Sequence, residues 1–386
     1  MPWKELSVLE QRKNFILELL KSNEPLKILC TKYGISEKTG HKWKKRFLEN
    51  GYCGLSDQSK SPKHSPDQLS EDAVIRLIKI RTSHPTWGPK KIAVLYARAY
   101  PQDPCPSASS IYRVLGKAEL IKKQKVRKVA PDNSLLRNRI EPLAPNDVWT
   151  VDFKGYWYSN NEQCLPLTVR DLHSKYILSV TLMKSASAEA VKEVFERLFK
   201  KYGLPKVIRS DNGSPFAARS NAHGLTTLSV WWVSLGILPD RILPGKPTQN
   251  GSHERMHADL SREIQGKIPG GAAANQKALD MWVQDYNDIR PHEALGMLTP
   301  SEVYSKSSLL YNGSPDRMEY PIGFSSRKVH YTGYIKVNGL KIQISSALKG
   351  IYVGLQPCSN SEYLLWLADL PLGKISTETA CFSCSF

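Results

Sequence analysis

Three acidic residues stand in contexts where a carboxylate can do chemistry. Asp152 lies in Val148-Trp149-Thr150-Val151-Asp152-Phe153, Asp211 ends Val207-Ile208-Arg209-Ser210-Asp211, and Glu254 follows Gln249-Asn250-Gly251-Ser252-His253. The first two sit on or at the end of β-type apolar runs, and the third opens a helix. A carboxylate beside buried apolar strands is costly unless it is paired or holds a metal. Three that converge make an oxygen-rich cup suited to Mg²⁺. Each has an ordinary explanation when taken alone: a strand Asp on the polar side of the Trp149/Val151/Phe153 alternation, an Asp-Asn-Gly turn, and an acid in a first helical turn. A second pattern competes for the same glutamate. His253-Glu254-Arg255-Met256-His257 matches HExxH, whose two histidines on one helical face hold zinc in metalloproteases. A zinc metalloprotease built on His253, Glu254 and His257 is therefore an alternative, but it leaves Asp152, Asp211 and a basic N-terminal third without a role. Cys381 and Cys384 form a lone CxxC with no second pair at zinc-ribbon spacing.

Elements that would position these residues are legible in the patterning. Residues 7–33 read as helical, Gly34 permits a left-handed turn, and Ser36 is a good N-cap for a second helix to about Asn50. That helix buries Trp43 and Phe47 and presents Lys38, His41, Lys42, Lys45 and Arg46, so residues 1–55 read as a helix-turn-helix DNA-binding unit. Residues 66–122 read as a second helical, winged-helix-like DNA-binding unit, and 123–145 as a basic extended linker. From 146 to 308 the pattern becomes α/β. Strands are expected at 147–154, 164–170 and 176–182, a helix at 186–202, a strand at 206–209, a helix at 225–235, a strand at 237–243, and helices near 249–266 and 273–289. Short strands at 327–331, 334–337, 340–344, 351–355 and 363–367, with Asn338-Gly339 as a hairpin cue, give a small β-barrel-like domain over 318–376. The fold class is thus multidomain: all-α units, a central α/β core and a small all-β domain.

Charge follows the same division. The 386 residues carry a formal net charge of +18, and residues 1–140 hold 28 Lys and Arg against 13 Asp and Glu. Basic charge gathered on one part of a chain points to a polyanion partner for that part. Seven scattered cysteines suit reduced thiols. With no signal-like start and no apolar run of spanning length, the expectation is a soluble, cytoplasmic protein without membrane contact.

Four segments in order resemble the transposases of bacterial insertion sequences with a retroviral-integrase-type DDE core. They are Ala144–Gly155, Tyr202-Gly203-Leu204-Pro205 leading to Asp211-Asn212-Gly213, Pro244–Gly251 before Glu254, and Tyr286-Asn287 through Arg290-Pro291-His292-Glu293-Ala294-Leu295-Gly296. The resemblance implies an RNase H-like core with Asp152, Asp211 and Glu254 as a catalytic, metal-binding triad. It implies two Mg²⁺ ions per site, with Mn²⁺ as a substitute: Asp152 bridging both, Asp211 holding one and Glu254 the other. The reaction implied is hydrolysis at the ends of the element and joining of the 3′-OH ends to target DNA. Partners would be double-stranded DNA and further copies of the chain. By position, Lys246, Gln249, Asn250, His257 and Arg262 are the candidate DNA contacts near the site. The family pattern places a basic residue seven positions after the glutamate, where this chain has Ser261 with Arg262 beside it. A silenced relative that acts as a repressor at the element ends is the corresponding alternative.

Overall fold

Ser7 and Ser36 accept backbone N–H groups at the starts of two N-terminal helices, satisfying donors that a helix leaves open. The structure, a computed structural model, describes residues 7–58, 69–121, 140–218, 224–242, 251–313 and 318–384. The chain divides into two compact units at Ser70 and Glu71. In the first, α1 (Val8–Lys21), α2 (Leu26–Lys32) and α3 (Glu37–Asn50) bury Phe15, Ile16, Leu29, Cys30, Trp43 and Leu55. The helical stretch expected over 7–33 is two helices, because Pro25 disfavours helical backbone at Glu24 and itself caps α2. Gly40 is where α3 meets α2: a Cβ there would lie 2.4 Å from Cys30 Sγ. Lys38, His41, Lys42 and Lys45 are exposed along α3, and Arg46 is half-buried.

The second unit begins with α4 (Glu71–Ser83), α5 (Pro89–Ala99) and α6 (Ala108–Lys117), packed around Leu77, Ile92, Tyr96, Ile111 and Leu115. This trio is held to the α/β part by charge and by one aromatic. Arg98 pairs with Glu302 at 2.9 Å, Lys90 with Glu293, and the Thr86 hydroxyl donates to Glu263. Trp87 is buried, with the Arg290 guanidinium 5.8 Å from its ring centroid.

The α/β part places β1 (Val148–Phe153), β2 (Trp157–Ser159), β3 (Glu162–Asp171), β4 (Ile177–Met183), α7 (Ala188–Tyr202), β5 (Val207–Ser210), α8 (Thr227–Ser234), β6 (Leu238–Arg241), α9 (Gly251–Glu263) and α10 (Ala272–Gln284) in that order. The sheet runs β2-β3-β1-β5-β6, with β4 also paired to β3. Pairs β1–β3 and β3–β4 are antiparallel, and β1–β5 and β5–β6 are parallel. Each face is covered by helices. Trp149 and Val151 join Val191, Phe195 and Phe199 of α7 and Trp232 of α8 in one core. Cys164, Ile177 and Val180 join Met256 and Leu260 of α9 and Leu279 and Trp282 of α10 in the other. This is the mixed, helix-covered α/β sheet that the patterning predicted.

The C-terminal region comprises β7 (Ser325–Lys328), β8 (Tyr334–Val337), β9 (Leu340–Gln343), β10 (Tyr352–Pro357), β11 (Glu362–Leu367), β12 (Leu370–Ser376) and β13 (Cys381–Ser383). Five strands form an antiparallel sheet ordered β13-β12-β11-β10-β7, and β8–β9 is a separate hairpin. Asn338 and Gly339 turn that hairpin with φ of 49° and 82°, the doubly positive geometry such turns need. The hairpin strands approach the two edge strands, β8 by β7 and β9 by β13, so sheet and hairpin enclose one core. Strands β2, β12 and β13 were not anticipated. The first and last are three residues long, and β12 contains Pro371 and Gly373. Among the described residues no helix is long and apolar enough to cross a membrane.

Candidate active site

Strand β1 alternates as its sequence demands: Trp149 and Val151 enter the α7 core, so Thr150 and Asp152 point to the α9 side. Parallel pairing of β1 with β5 sets Thr150 against Arg209. Continuing that register brings Asp152 level with Asp211, one residue beyond the end of β5. The turn after Asp211 is tied down locally. Its Oδ1 accepts the Gly213 N–H at 3.1 Å, and Asn212 Nδ2 donates to the Ile242 carbonyl at 2.6 Å. A side chain at position 213 would crowd this turn, since a Cβ there would lie 2.9 Å from Asp211 Oδ2. Glu254 stands exposed in the first turn of α9.

Asp152 lies within electrostatic range of the other two carboxylates. The Asp152 carboxyl is pushed up to about 7, first by burial and next by Asp211, with a smaller push from Glu254, against the lowering effect of the Phe153 backbone N–H. Burial and like charge both disfavour its ionised form. The three carboxylates offer oxygen donors, which fit a hard divalent cation such as Mg²⁺.

Helix α9 is fixed to the sheet beneath these acids. Arg170 of β3 is fully buried, and donates to the Ser252 carbonyl at 2.7 Å and to Ser252 Oγ at 3.1 Å. Two residues away, Thr168 lies opposite Asp152 in the β1–β3 ladder. Its Oγ1 is 2.6 Å from His253 Nε2 and 2.8 Å from His257 Nε2, while His253 Nδ1 is 2.8 Å from Thr150 Oγ1. Burial lowers the pKa of both rings: His253 falls well below its ordinary value and His257 to about 4, with Lys154 and Arg170 adding to the His257 effect. Both imidazoles are therefore neutral at pH 7. The HExxH pattern is split by this arrangement, with His253 and His257 turned to the sheet and Glu254 exposed.

The far end of α9 is also anchored. Asp259 accepts from Arg290 at 2.6 Å and pairs with Arg262, while Glu263 Oε2 accepts the Trp282 indole N–H at 2.6 Å. After α10 the chain makes a π turn, Asp285–Ile289. There Asn287 replaces a strand partner, accepting from Ile177 N and donating to Ile177 O, both at 2.9 Å. The Tyr286-Asn287 to Arg290 motif thus clips α10 and α9 to β4. Ser261 Oγ donates back to the His257 carbonyl at 2.9 Å. Lys246, Gln249 and Asn250 lie outside the described residues. Cys381 and Cys384 are both exposed free thiols.

Residues 142–247 and 235–300 match family models described as integrase core domain, and residues 39–115 match a homeodomain-like domain. The insertion element IS407 uncharacterized 31.7 kDa protein of Burkholderia multivorans is 29% identical over 270 residues, covering 68% of this chain and 92% of that protein. Transposase InsD for insertion element IS2A/D/F/H/I/K of Escherichia coli is 25% identical over 243 residues, covering 60% of this chain and 77% of the transposase. A solved HTLV-2 integrase catalytic core domain in complex with magnesium aligns with 43% of this chain and 100% of its own, at 16% identity and a TM-score of 0.34.

Proposed function

Since the chain belongs to the integrase-core transposases of insertion elements, we propose that it binds the terminal inverted repeats of its element, cuts the DNA there and joins the 3′ ends to target DNA. The observation that carries this reading is the nearness of Asp152 to Asp211 in the β1–β5 register, with Asp211 and Glu254 adding to burial in raising the Asp152 carboxyl. Two divalent ions held by these three groups, Mg²⁺ or Mn²⁺, would supply Lewis-acid stabilisation of attacking and leaving oxygens. The chain's own residues do the rest. Arg170, Thr168 and the two α9 histidines hold the glutamate's helix against the strand that bears Asp152. Water attacks the phosphodiester at the element end, and the freed 3′-OH then attacks a target phosphodiester, so no protein nucleophile or covalent protein–DNA bond is required. Lys38, His41, Lys42, Lys45 and Arg46 on α3 meet the duplex, as do Arg262 on α9 and, by their place in the sequence before Glu254, Lys246, Gln249 and Asn250, whereas His257 is turned to the sheet. Synapsis of two element ends calls for more than one copy of the chain.

Labelled duplexes from the DNA flanking the gene, incubated with Mg²⁺ or Mn²⁺, test this. Wild type should nick at the element end. Asp152→Asn, Asp211→Asn and Glu254→Gln should each bind the same duplex and leave it uncut. Ion-dependent nicking that survives Asp152→Asn would sink the assignment. Ser261, in place of a basic residue and bonded to its own helix, favours the second reading of a silenced repressor. Binding by all four proteins with cleavage by none would select it.

A further inference from the structure

Proton accounting settles the two α9 imidazoles more closely than their distances alone. The Thr168 hydroxyl has one proton, and donates it to the Asp152 carbonyl at 2.9 Å. Its oxygen must then accept from Nε2–H of His253 and from Nε2–H of His257. His253 therefore presents an unprotonated Nδ1, which the Thr150 hydroxyl meets as a donor at 2.8 Å. Both of its nitrogens are taken. His257 differs: its Nδ1 also carries a lone pair, and the group facing it is Asp152 Oδ2 at 3.9 Å. Two electron-pair donors facing each other repel, and a cation between them converts that repulsion into coordination. Asp152, His253 and His257 keep ligand atoms within 4.8 Å of one another, and the accounting removes His253 from that group.

We propose that His257 Nδ1 is a direct ligand of the ion that Asp152 Oδ2 holds, which makes this a mixed oxygen–nitrogen site. The inference rests on the reading of the triad as a divalent-ion site, and gives His257 a role other than DNA contact. Two metal–ligand bonds of roughly 2.1 Å each reach across at most about 4.2 Å, so the 3.9 Å separation is within reach of one shared ion. Thr168 fills the place that metal-bound histidines give to an acceptor on their other nitrogen, fixing tautomer and ring plane. Imidazole is a poor ligand for Mg²⁺ and a better one for transition ions. The site should accordingly favour Mn²⁺ over Mg²⁺ by more than its carboxylates alone would.

The test reads the bound ion itself, on the full chain without DNA. Pulsed EPR of Mn²⁺ should show nitrogen modulation that changes when the protein is made with ¹⁵N-histidine, a comparison that needs no variant. His257→Gln should lose that modulation and weaken Mn²⁺ by about tenfold, as titration calorimetry reads it, with a smaller effect on Mg²⁺. Identical labelled and unlabelled spectra, with Mn²⁺ binding still lost in Asp152→Asn, would overturn the nitrogen ligand and leave the carboxylate site standing. Nitrogen modulation that persists in His257→Gln would also overturn it. Mn²⁺ binding unchanged in Asp152→Asn would remove the underlying reading instead.

Discussion

Asp152 reverses the usual sign for a carboxylate. Its folded-state pKa lies near 7, above the value of the unfolded chain. Below about pH 4 both states hold the proton. From there to about pH 7 the unfolded chain releases this proton while the folded, metal-free chain keeps it, so stability is lost, by at most about 4 kcal/mol before solvent screening. Asp152→Asn cannot ionise. Without metal, the difference in Tm between Asp152→Asn and wild type should widen through this window and narrow again when Mg²⁺ is added. A difference independent of pH would contradict the electrostatic account of the site. The strand alternation that turns Asp152 away from the apolar core was legible in the sequence. The partners beneath it were not, because Thr168 and His253 are 85 positions apart and only the packing of α9 across the β1–β3 ladder brings them together. Without that packing, His257 reads either as half of an HExxH pattern or as a DNA contact by position.

At the scale of elements, α9 is the part whose placement decides the site, and it is held at both ends. Arg170 grips Ser252 at its start, and Arg290 grips Asp259 near its end. Arg290 is buried, so Arg290→Leu strands two carboxylates, Asp259 and Glu263, beside apolar groups. We expect it to lower unfolding free energy by about 3 kcal/mol, measured by urea titration, whereas Arg262→Leu on the exposed side of the same cluster should cost under about 1 kcal/mol. Equal effects would mean that the buried pair does not anchor the helix. Most helices and strands here followed from apolar periodicity and capping residues. The π turn at 285–289 did not, because its cause is Asn287 bonding to the backbone of a strand 110 positions earlier. Likewise nothing local marks Lys90 and Arg98 as partners of Glu293 and Glu302, which lie 203 and 204 positions further along the chain.

Over the whole molecule, the excess positive charge lies in residues 1–140 while the carboxylates that matter lie beyond them. On the proposed function, binding and chemistry fall mainly on different stretches of one chain and should fail separately. Lys42→Ala and Lys45→Ala should each weaken binding to an element end and reduce the slope of log affinity against log salt by about 1, without changing affinity for Mn²⁺. Loss of salt dependence on mutation of Asp211 instead would contradict that division. The order of the domains and the α/β class were open to inspection in the sequence, since charge, periodicity and turn residues all change near residue 146. The measurement that tests the central claim most directly is strand joining with the cutting step bypassed. An oligonucleotide of the element end, with its 3′-OH already exposed, is incubated with supercoiled plasmid, Mg²⁺ and either wild type or Asp211→Asn. Ion-dependent insertion of the labelled end by wild type alone, with both proteins bound to the oligonucleotide, is the predicted result; joining by Asp211→Asn at the wild-type rate, or joining by wild type in a chelator, would contradict it.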